Sequence, residues 1–337
     1  YSKQGKYIII DQGQSQIAGY TDREEGVFEE LPVIVFGDHT RTIKYVDKPF
    51  FLGADGVKVL RSNDSNANYK YLYYALKSAK IPDTGYNRHF KWLKKIQINY
   101  PDNNRQEEIV QILDKVSDII KNRESELSAL DELIKARFVE MFGDPVANPK
   151  GLIKKTLPEL GEFGRGVSKH RPRNDEALLG GPYPLIQTGD VANSGLYITE
   201  YHSTYSELGL QQSKMWDEGT LCITIAANIA KTAILGFDAC FPDSIVGFIA
   251  NEDTNNVFVH YWFSFFQEIL ESQAPESAQK NINLKILSEL KVIVPNIQEQ
   301  NEFADFVVQV EKTKDTIQKS LDETQILFDS LMQKYFG

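Results

Sequence analysis

The sequence predicts an α+β protein built as an internal repeat. Two mixed α/β regions are each followed by a long helix, and the two helices pair as an antiparallel coiled coil about a pseudo-two-fold axis. Three observations predict this. First, residues 90–143 lie over residues 284–337 at a constant shift of 194, without a gap. Leu93 meets Leu287, Ile98 meets Val292, Pro101 meets Pro295, Gln106 meets Gln300, Glu108 meets Glu302 and Ile109 meets Phe303. Val116 meets Val310, Leu127 meets Leu321, and Leu133 meets Leu327. The match closes with Phe142 and Gly143 on Phe336 and Gly337. Second, upstream segments match at smaller shifts. "YIIIDQG" resembles "YPLIQTG", and six residues later both copies carry a glycine, Gly19 and Gly195. "FFLGADGVKVL" resembles "ACFPDSIVGFIA", and "YKYLYYAL" resembles "FVHYWFSF". Third, each copy ends in a sustained heptad pattern.

In the first copy "KYIII", "PVIVFG", "KYVDKPFFLG" and "GVKVL" read as strands, because short apolar and β-branched runs are bounded by turn residues. "NYKYLYYALKSA" reads as a helix. In the second copy "YPLIQTGDV", "GTLCITIAA", "TAILGF" and "SIVGFIA" read as strands, and "NVFVHYWFSFFQEILES" as one helix. Aromatic residues in these helices suit a core better than a base-stacking platform. Residues 154–182 have no counterpart in the first copy, so the sequence is expected to begin inside that copy.

The first long helix is expected over residues 104–141. Apolar residues recur at 109, 113, 116, 120, 127, 130, 134 and 141, in steps of about three and four, with Arg123 and Arg137 interrupting the seam. The second repeats it with Phe303, Val307, Val310, Ile317, Leu321 and Phe328, and with Lys314 and Thr324 as polar breaks. Pro101 and Pro295 mark starts, and Gly143 and Gly337 mark stops. A helix this long cannot bury its stripe alone, so the two are expected to pair with each other. The domains expected are 1–102 and 144–295, and the helical segments 103–143 and 296–337.

Composition narrows the function. Net charge is −10, which argues against a general nucleic-acid sponge. The charge is uneven. Residues 1–103 carry +3, 104–143 carry −3, 144–296 carry −6 and 297–337 carry −4. Contact with DNA would therefore use local patches. Cys222 and Cys240 have no metal or redox spacing and read as unpaired cytosolic thiols. There is no signal-peptide pattern and no apolar run of membrane length, which suits a cytoplasmic protein. No phosphate loop, dinucleotide fingerprint, HExxH or paired-cysteine pattern is present, so no cofactor or metal is expected. None of the five histidines is spaced with another as ligands on one helix.

What remains is a recurring set of polar turns. Gln, Asn, Arg and Lys pair with base edges, while Ser and Thr hold phosphates. The first copy offers Gln12, Gln14 and Gln16, then His39, Thr40, Arg41 and Lys44, then Asn87 and Arg88. The second offers Gln187, Thr188 and Asn193, then Asn228 and Lys231, then Gln279, Lys280 and Asn281. Lys169, Arg171 and Arg173 form a basic run peculiar to the second copy. Any single loop reads better as ordinary polar surface. Recurrence at matching places favours duplex DNA as the partner of the set. A coiled-coil scaffold binding proteins, without DNA specificity, is the alternative, and an enzyme with dispersed catalytic residues is a second.

"LDELIKARFVEMFGD", the matched openings "PDNNRQEEIVQILDKV" and "PNIQEQNEFADFVVQV", and the duplicated layout resemble the specificity subunit of type I restriction–modification systems. "TLPELGEFGRG" resembles the opening of such a subunit's variable region, and "SAQKNINLKILSELKVIVP" its close. The resemblance covers essentially the whole chain. It implies two target recognition domains, each reading half of a bipartite DNA target. It implies spacer helices that act as a ruler and dock methyltransferase subunits, two in number. It implies a larger complex with motor–nuclease subunits. The specificity subunit itself is non-catalytic, and its partners carry adenine-N6 methylation and ATP-dependent cleavage.

Overall fold

The computed structural model describes residues 1–53, 55–85, 87–173, 175–226, 229–273 and 282–337, without the side chain of residue 271. The chain divides into two compact units. One comprises Tyr1–Ser125 with Gln318–Gly337, the other Glu126–Ile317.

The first unit contains β1 (Tyr7–Ile10), β2 (Gly19–Thr21), β3 (Val33–Gly37), β4 (Ile43–Val46), β5 (Phe50–Leu52) and β6 (Val57–Leu60). They form two three-stranded sheets, ordered β2-β1-β5 and β4-β3-β6. In the first, β1 is antiparallel to β2 and parallel to β5. In the second, β3 is antiparallel to both neighbours. All five β3 residues are buried, as a continuous Val, Ile and Phe run requires of a central strand. The helices α1 (Tyr69–Ser78) and α2 (Phe90–Leu93) follow, then α3 (Asn103–Phe142).

The second unit contains β7 (Ile153–Thr156), α4 (Leu157–Leu160), β8 (Gly161–Arg165), β9 (Leu179–Leu185), α5 (Thr188–Asn193), β10 (Tyr197–Ile198) and β11 (Ser203–Tyr205). After them come α6 (Glu207–Gln211), β12 (Met215–Trp216), β13 (Leu221–Thr224), β14 (Thr232–Leu235), β15 (Ala239–Cys240) and β16 (Ile245–Ala250). Helices α7 (Asn256–Trp262), α8 (Phe266–Gln273) and α9 (Leu284–Glu289), strand β17 (Lys291–Val294) and helix α10 (Ile297–Phe336) complete it, α10 running on into the first unit.

The duplication read in the sequence is present in the topology. The order β11-β9-β15 repeats β2-β1-β5, again with one antiparallel and one parallel neighbour. The order β14-β13-β16 repeats β4-β3-β6, again antiparallel throughout. Asn68 and Asn255 cap α1 and α7 alike, each side chain accepting from a helix N–H. The second unit adds β8 on the edge of β16 and β10 on the edge of β14, and pairs β7 with β17.

Three segments differ from the sequence reading. "KYVDKPFFLG" is two strands in different sheets, since Pro49 lacks a donor and interrupts the run. "YPLIQTGDV" leaves strand geometry after Leu185 and turns into α5, because Gln187 and Asp190 form a reciprocal cap that satisfies the free helix N–H groups. The helix expected through "NVFVHYWFSFFQEILES" is broken by a tight turn at Phe263–Phe265.

The long helices follow the same repeat at the level of single contacts. In the second unit Phe142, from the end of α3, packs edge-on against Phe258 with centroids 5.0 Å apart. In the first unit the matched Phe336, from the end of α10, lies 5.4 Å from Tyr71. Within the second unit Asp131 meets Lys314 and Phe138 meets Phe303, so the helices run antiparallel there, and within the first Arg105 lies over Tyr335. The buried seam shifts near the end of α3 to Phe138 and Phe142 in place of Met141, while Ile120, Leu127 and Leu130 are only half-buried. Gly143 ends α3 at φ +80°, a conformation that penalises any Cβ. Cys222 and Cys240 are buried free thiols.

Candidate nucleic-acid interface

In the first unit the turn between β3 and β4 and the loop after β1 face one another. Thr40 Oγ1 donates to Gln12 O at 2.6 Å, and His39 N donates to Gln12 Oε1 at 3.3 Å. Gly37 permits this approach, for a Cβ there would stand 2.9 Å from Gln12 Cβ. The loop is also tied to β4. Gln16 Nε2 donates to Tyr45 O at 2.8 Å, and Lys44 Nζ donates to Ser15 O at 2.6 Å. Lys44 has only 2% of its side chain exposed, with Asp11 3.7 Å away. Burial pushes its pKa down against the pull of Asp11. Its ammonium therefore braces the loop from inside. A groove of about 500 Å³ brings Gln14, Gln16, Thr40, Arg41 and Lys44 together.

Arg41 occupies the left-handed region at φ 62° and pairs with Asp83 at 2.7 Å. Asn87 bonds Thr84 O, and Arg88 is exposed in a separate groove. The two regions are linked by buried groups. Asp38 O accepts from His89 N at 2.8 Å, and Asp38 Oδ1 accepts from Phe90 N at 2.7 Å. His89 Nδ1 also lies 3.0 Å from Asp38 O.

In the second unit a pocket of about 310 Å³ gathers Arg173, Gln187 and Thr188 with Ser168, Ser203 and Ser244. Arg171 donates to Ser168 O at 2.6 Å and His170 O at 2.7 Å, while Arg173 pairs with Asp243. Lys169 is exposed, its backbone held by Gln212 Oε1 at 2.7 Å. His170 lies 3.0 Å from Asp175, whose carboxyl is held low by the Ala177 N–H and then by His170. Asn193 is exposed at the end of α5. Lys231 lines another pocket, with Asp131, His260, Tyr261, Glu311 and Lys314. Asn228, Gln279, Lys280 and Asn281 lie outside the described residues. The turns carrying Arg41 and Lys231 join matched strands, and each contains a non-glycine residue at positive φ, Arg41 and Ala230.

The family model of the type I restriction modification DNA specificity domain matches residues 1–129 and 149–325. The chain belongs to this family. It is 25% identical over 338 residues to the Type I restriction enzyme EcoR124I/EcoR124II specificity subunit of Escherichia coli, covering 94% of this chain and 81% of that one. It is 23% identical over 303 residues to the putative type I restriction enzyme MjaX specificity subunit of Methanocaldococcus jannaschii, covering 82% and 71%. The fold is similar to the S subunit of a type I restriction-modification system from M. genitalium, with TM-score 0.61 and 19% identity over 100% of this chain and 90% of that one. It is likewise similar to a chain from a study of type I R-M complex assembly and conformational transition, with TM-score 0.56 and 15% identity over 98% and 91%.

As a type I specificity subunit, the chain carries candidate recognition loops in both units. Amide, hydroxyl and guanidinium groups face grooves from loops that sheets and buried bonds hold in place. Among the described residues no group of three or more His, Cys, Asp or Glu could hold a metal, and no helix is long and apolar enough to cross a membrane. Sequence reasoning passed over Lys58, Lys91, Lys94 and Lys95, which line the groove holding Arg88. The run "RHFKWLKK" carried that signal, being basic with interleaved aromatics. Gln212, which fixes the basic loop of the second unit from 42 and 43 residues away, carried none.

Proposed function

We propose that residues 1–102 and 144–295 each read one half of a bipartite duplex target. The segments 103–143 and 296–337 set the spacing and dock two methyltransferase subunits, and motor–nuclease subunits complete the assembly in the cytoplasm. In this reading the chain performs no chemistry. Its partners methylate adenine and cleave DNA with ATP. The observation that carries the reading is the repeat of topology together with candidate reading loops. The polar turn after β1 has its match after β9, and the turn between β3 and β4 has its match between β13 and β14. Two similar scaffolds with different loop residues suit two different half-sites. Docking is supported by exposed apolar side chains on the long helices, Ile112, Ile119 and Leu133 on α3 and Ile326 and Leu327 on α10.

The test is domain exchange. Residues 144–293 are replaced by the corresponding part of another specificity subunit, and methylated adenines are mapped in a host carrying the full system. One half-site changes and the other is kept. Alteration of both halves, or of neither, would overturn the assignment.

A further inference from the structure

The first unit carries a second charged groove, to which the candidate reading residues contribute Arg88 alone. It has a volume of about 460 Å³ and is lined by Lys58, Arg88, Lys91, Lys94 and Lys95, with Asp38 as its acidic residue. The Asp38 carboxylate is buried and already engaged by Phe90 N. None of the five cations pairs with a carboxylate among the described residues, whereas nearby Arg41, Arg61 and Lys70 each do. Three of the lysines rest on aromatic faces. Lys94 lies 4.9 Å from the Phe90 centroid, and Lys91 and Lys95 lie 5.4 Å and 5.2 Å from that of Trp92. The ammonium nitrogens lie over the rings while Lys91, Lys94 and Lys95 stay exposed, so their charges are open to an anion.

The internal repeat supplies a control for what the fold itself requires. At the shift of 194, α2 corresponds to α9. Leu93 and Leu287 are buried in both, so the leucine is structural. Lys91 meets Lys285, but Lys94 meets Ser288 and Lys95 meets Glu289. In the second unit Lys285 then lies 3.9 Å from Glu289 within its own helix. The same turn of helix therefore folds without this concentration of charge. Four lysines and an arginine held close together repel one another, which a purely structural role does not explain.

The groove is also fixed in position. The buried bonds of Asp38 to His89 and Phe90 join α2 to the turn bearing His39, Thr40 and Arg41. Cations held beside candidate base-reading residues match the division of labour at DNA interfaces, where phosphate contacts set register and base contacts set sequence. We propose that Lys58, Arg88, Lys91, Lys94 and Lys95 form a clamp for DNA backbone phosphates, present in the first unit and matched on α9 of the second by Lys285 alone, which lies beside Glu289. The clamp rests on the reading of the chain as a DNA-specificity subunit. It supplies affinity without sequence preference.

The test uses the full chain copurified with the methyltransferase subunits of its own system, and a fluorescein-labelled 40-base-pair duplex of mixed sequence. Affinity is measured by anisotropy from low to high potassium chloride. Each phosphate contact contributes about 0.9 to the slope of log affinity against log salt. The triple variant Lys91→Gln, Lys94→Gln, Lys95→Gln is expected to lose about two to three from that slope. Each single variant loses about one, and Lys285→Gln loses none. The single variants keep the test decisive if the triple variant is unstable. Parent-like slopes in the lysine variants overturn the clamp and leave the DNA-reading assignment intact. A parent complex that binds no duplex at any salt overturns both. Unchanged slopes with loss of the copurifying methyltransferase assign the groove to a protein partner, and also overturn the clamp.

Discussion

Gln300 shows how one side chain anchors an element. It is fully buried, and its Oε1 accepts from Thr254 Oγ1 at 2.9 Å and Asn255 N at 3.1 Å. Its Nε2 donates to Asp253 O at 3.1 Å and Pro295 O at 3.0 Å. The start of α10 is thus tied to the start of α7. Gln106 repeats the bond to the preceding proline, donating to Pro101 O at 2.7 Å. Gln300→Leu keeps the volume and strands several buried polar groups, so it is expected to cost about 2–4 kcal/mol in urea unfolding of the second unit. A cost under ~1 kcal/mol would show that the bonds do not anchor the helix. His260 is the other residue with a measurable consequence. Its Nδ1 lies 3.0 Å from Thr232 Oγ1, and its pKa is pushed down to about 4 by burial and then by the Lys314 charge. Because the folded state resists protonation, the unfolded chain takes up the proton first. The stability due to neutral His260 is therefore present above about pH 6.5 and lost as pH falls towards 4. His260→Gln is expected to flatten the decline of melting temperature over that window, and parallel curves for parent and variant would reject this.

At the scale of elements, the polar breaks in the helical seams have uses. Lys314 interrupts the stripe of α10, yet it pairs with Asp131 at 2.8 Å and Glu311 at 2.9 Å. Burial works against its charge, but these two carboxylates outweigh it and raise its pKa. Tyr261 OH reaches the same Glu311 at 3.2 Å, which joins α7 to the helix pair. A polar residue in a seam fixes register at some cost in stability. Register is what a ruler needs. Inserting one heptad at matched points in both α3 and α10 keeps the seam and adds roughly 10.5 Å at 1.5 Å per residue. Duplex DNA rises about 3.4 Å per base pair, so the preferred spacer is expected to lengthen by about three pairs. Mapping the methylated sites of the insertion variant checks this, and an unchanged spacer rejects the ruler.

Across the whole molecule, the repeat explains why the chain needs no catalytic machinery to be specific. Two scaffolds of one topology carry different residues at matched turns. Arg41 sits in a β3–β4 turn whose counterpart holds Lys231, and Gln12 follows a strand whose counterpart is followed by Thr188. The scaffolds also differ in charge, +3 over residues 1–103 against −6 over 144–296. A cationic groove in the first unit and a neutralised α9 in the second are the local expression of that difference. Exchange of residues 144–293 should therefore change one half-site and leave the contribution of the cationic groove to the salt dependence in place.

The duplication, the two long helices and the correspondence of strand segments between the two copies were legible in the sequence. Apolar periodicity and turn residues act locally, and a repeat multiplies the signal. The end of α3 was legible for the same reason, since an aromatic followed by glycine closes it. The destinations of polar side chains were decided by tertiary structure alone. Lys44 reads as a surface cation, but β4 carries it under the loop after β1, where its ammonium braces backbone. Arg173, Gln187 and Thr188 converge on one pocket while Lys231 lines another, because β9 and β14 belong to different sheets. Which face of a strand meets which neighbour is a non-local outcome of packing, so a polar residue's role depends on contacts tens of residues away.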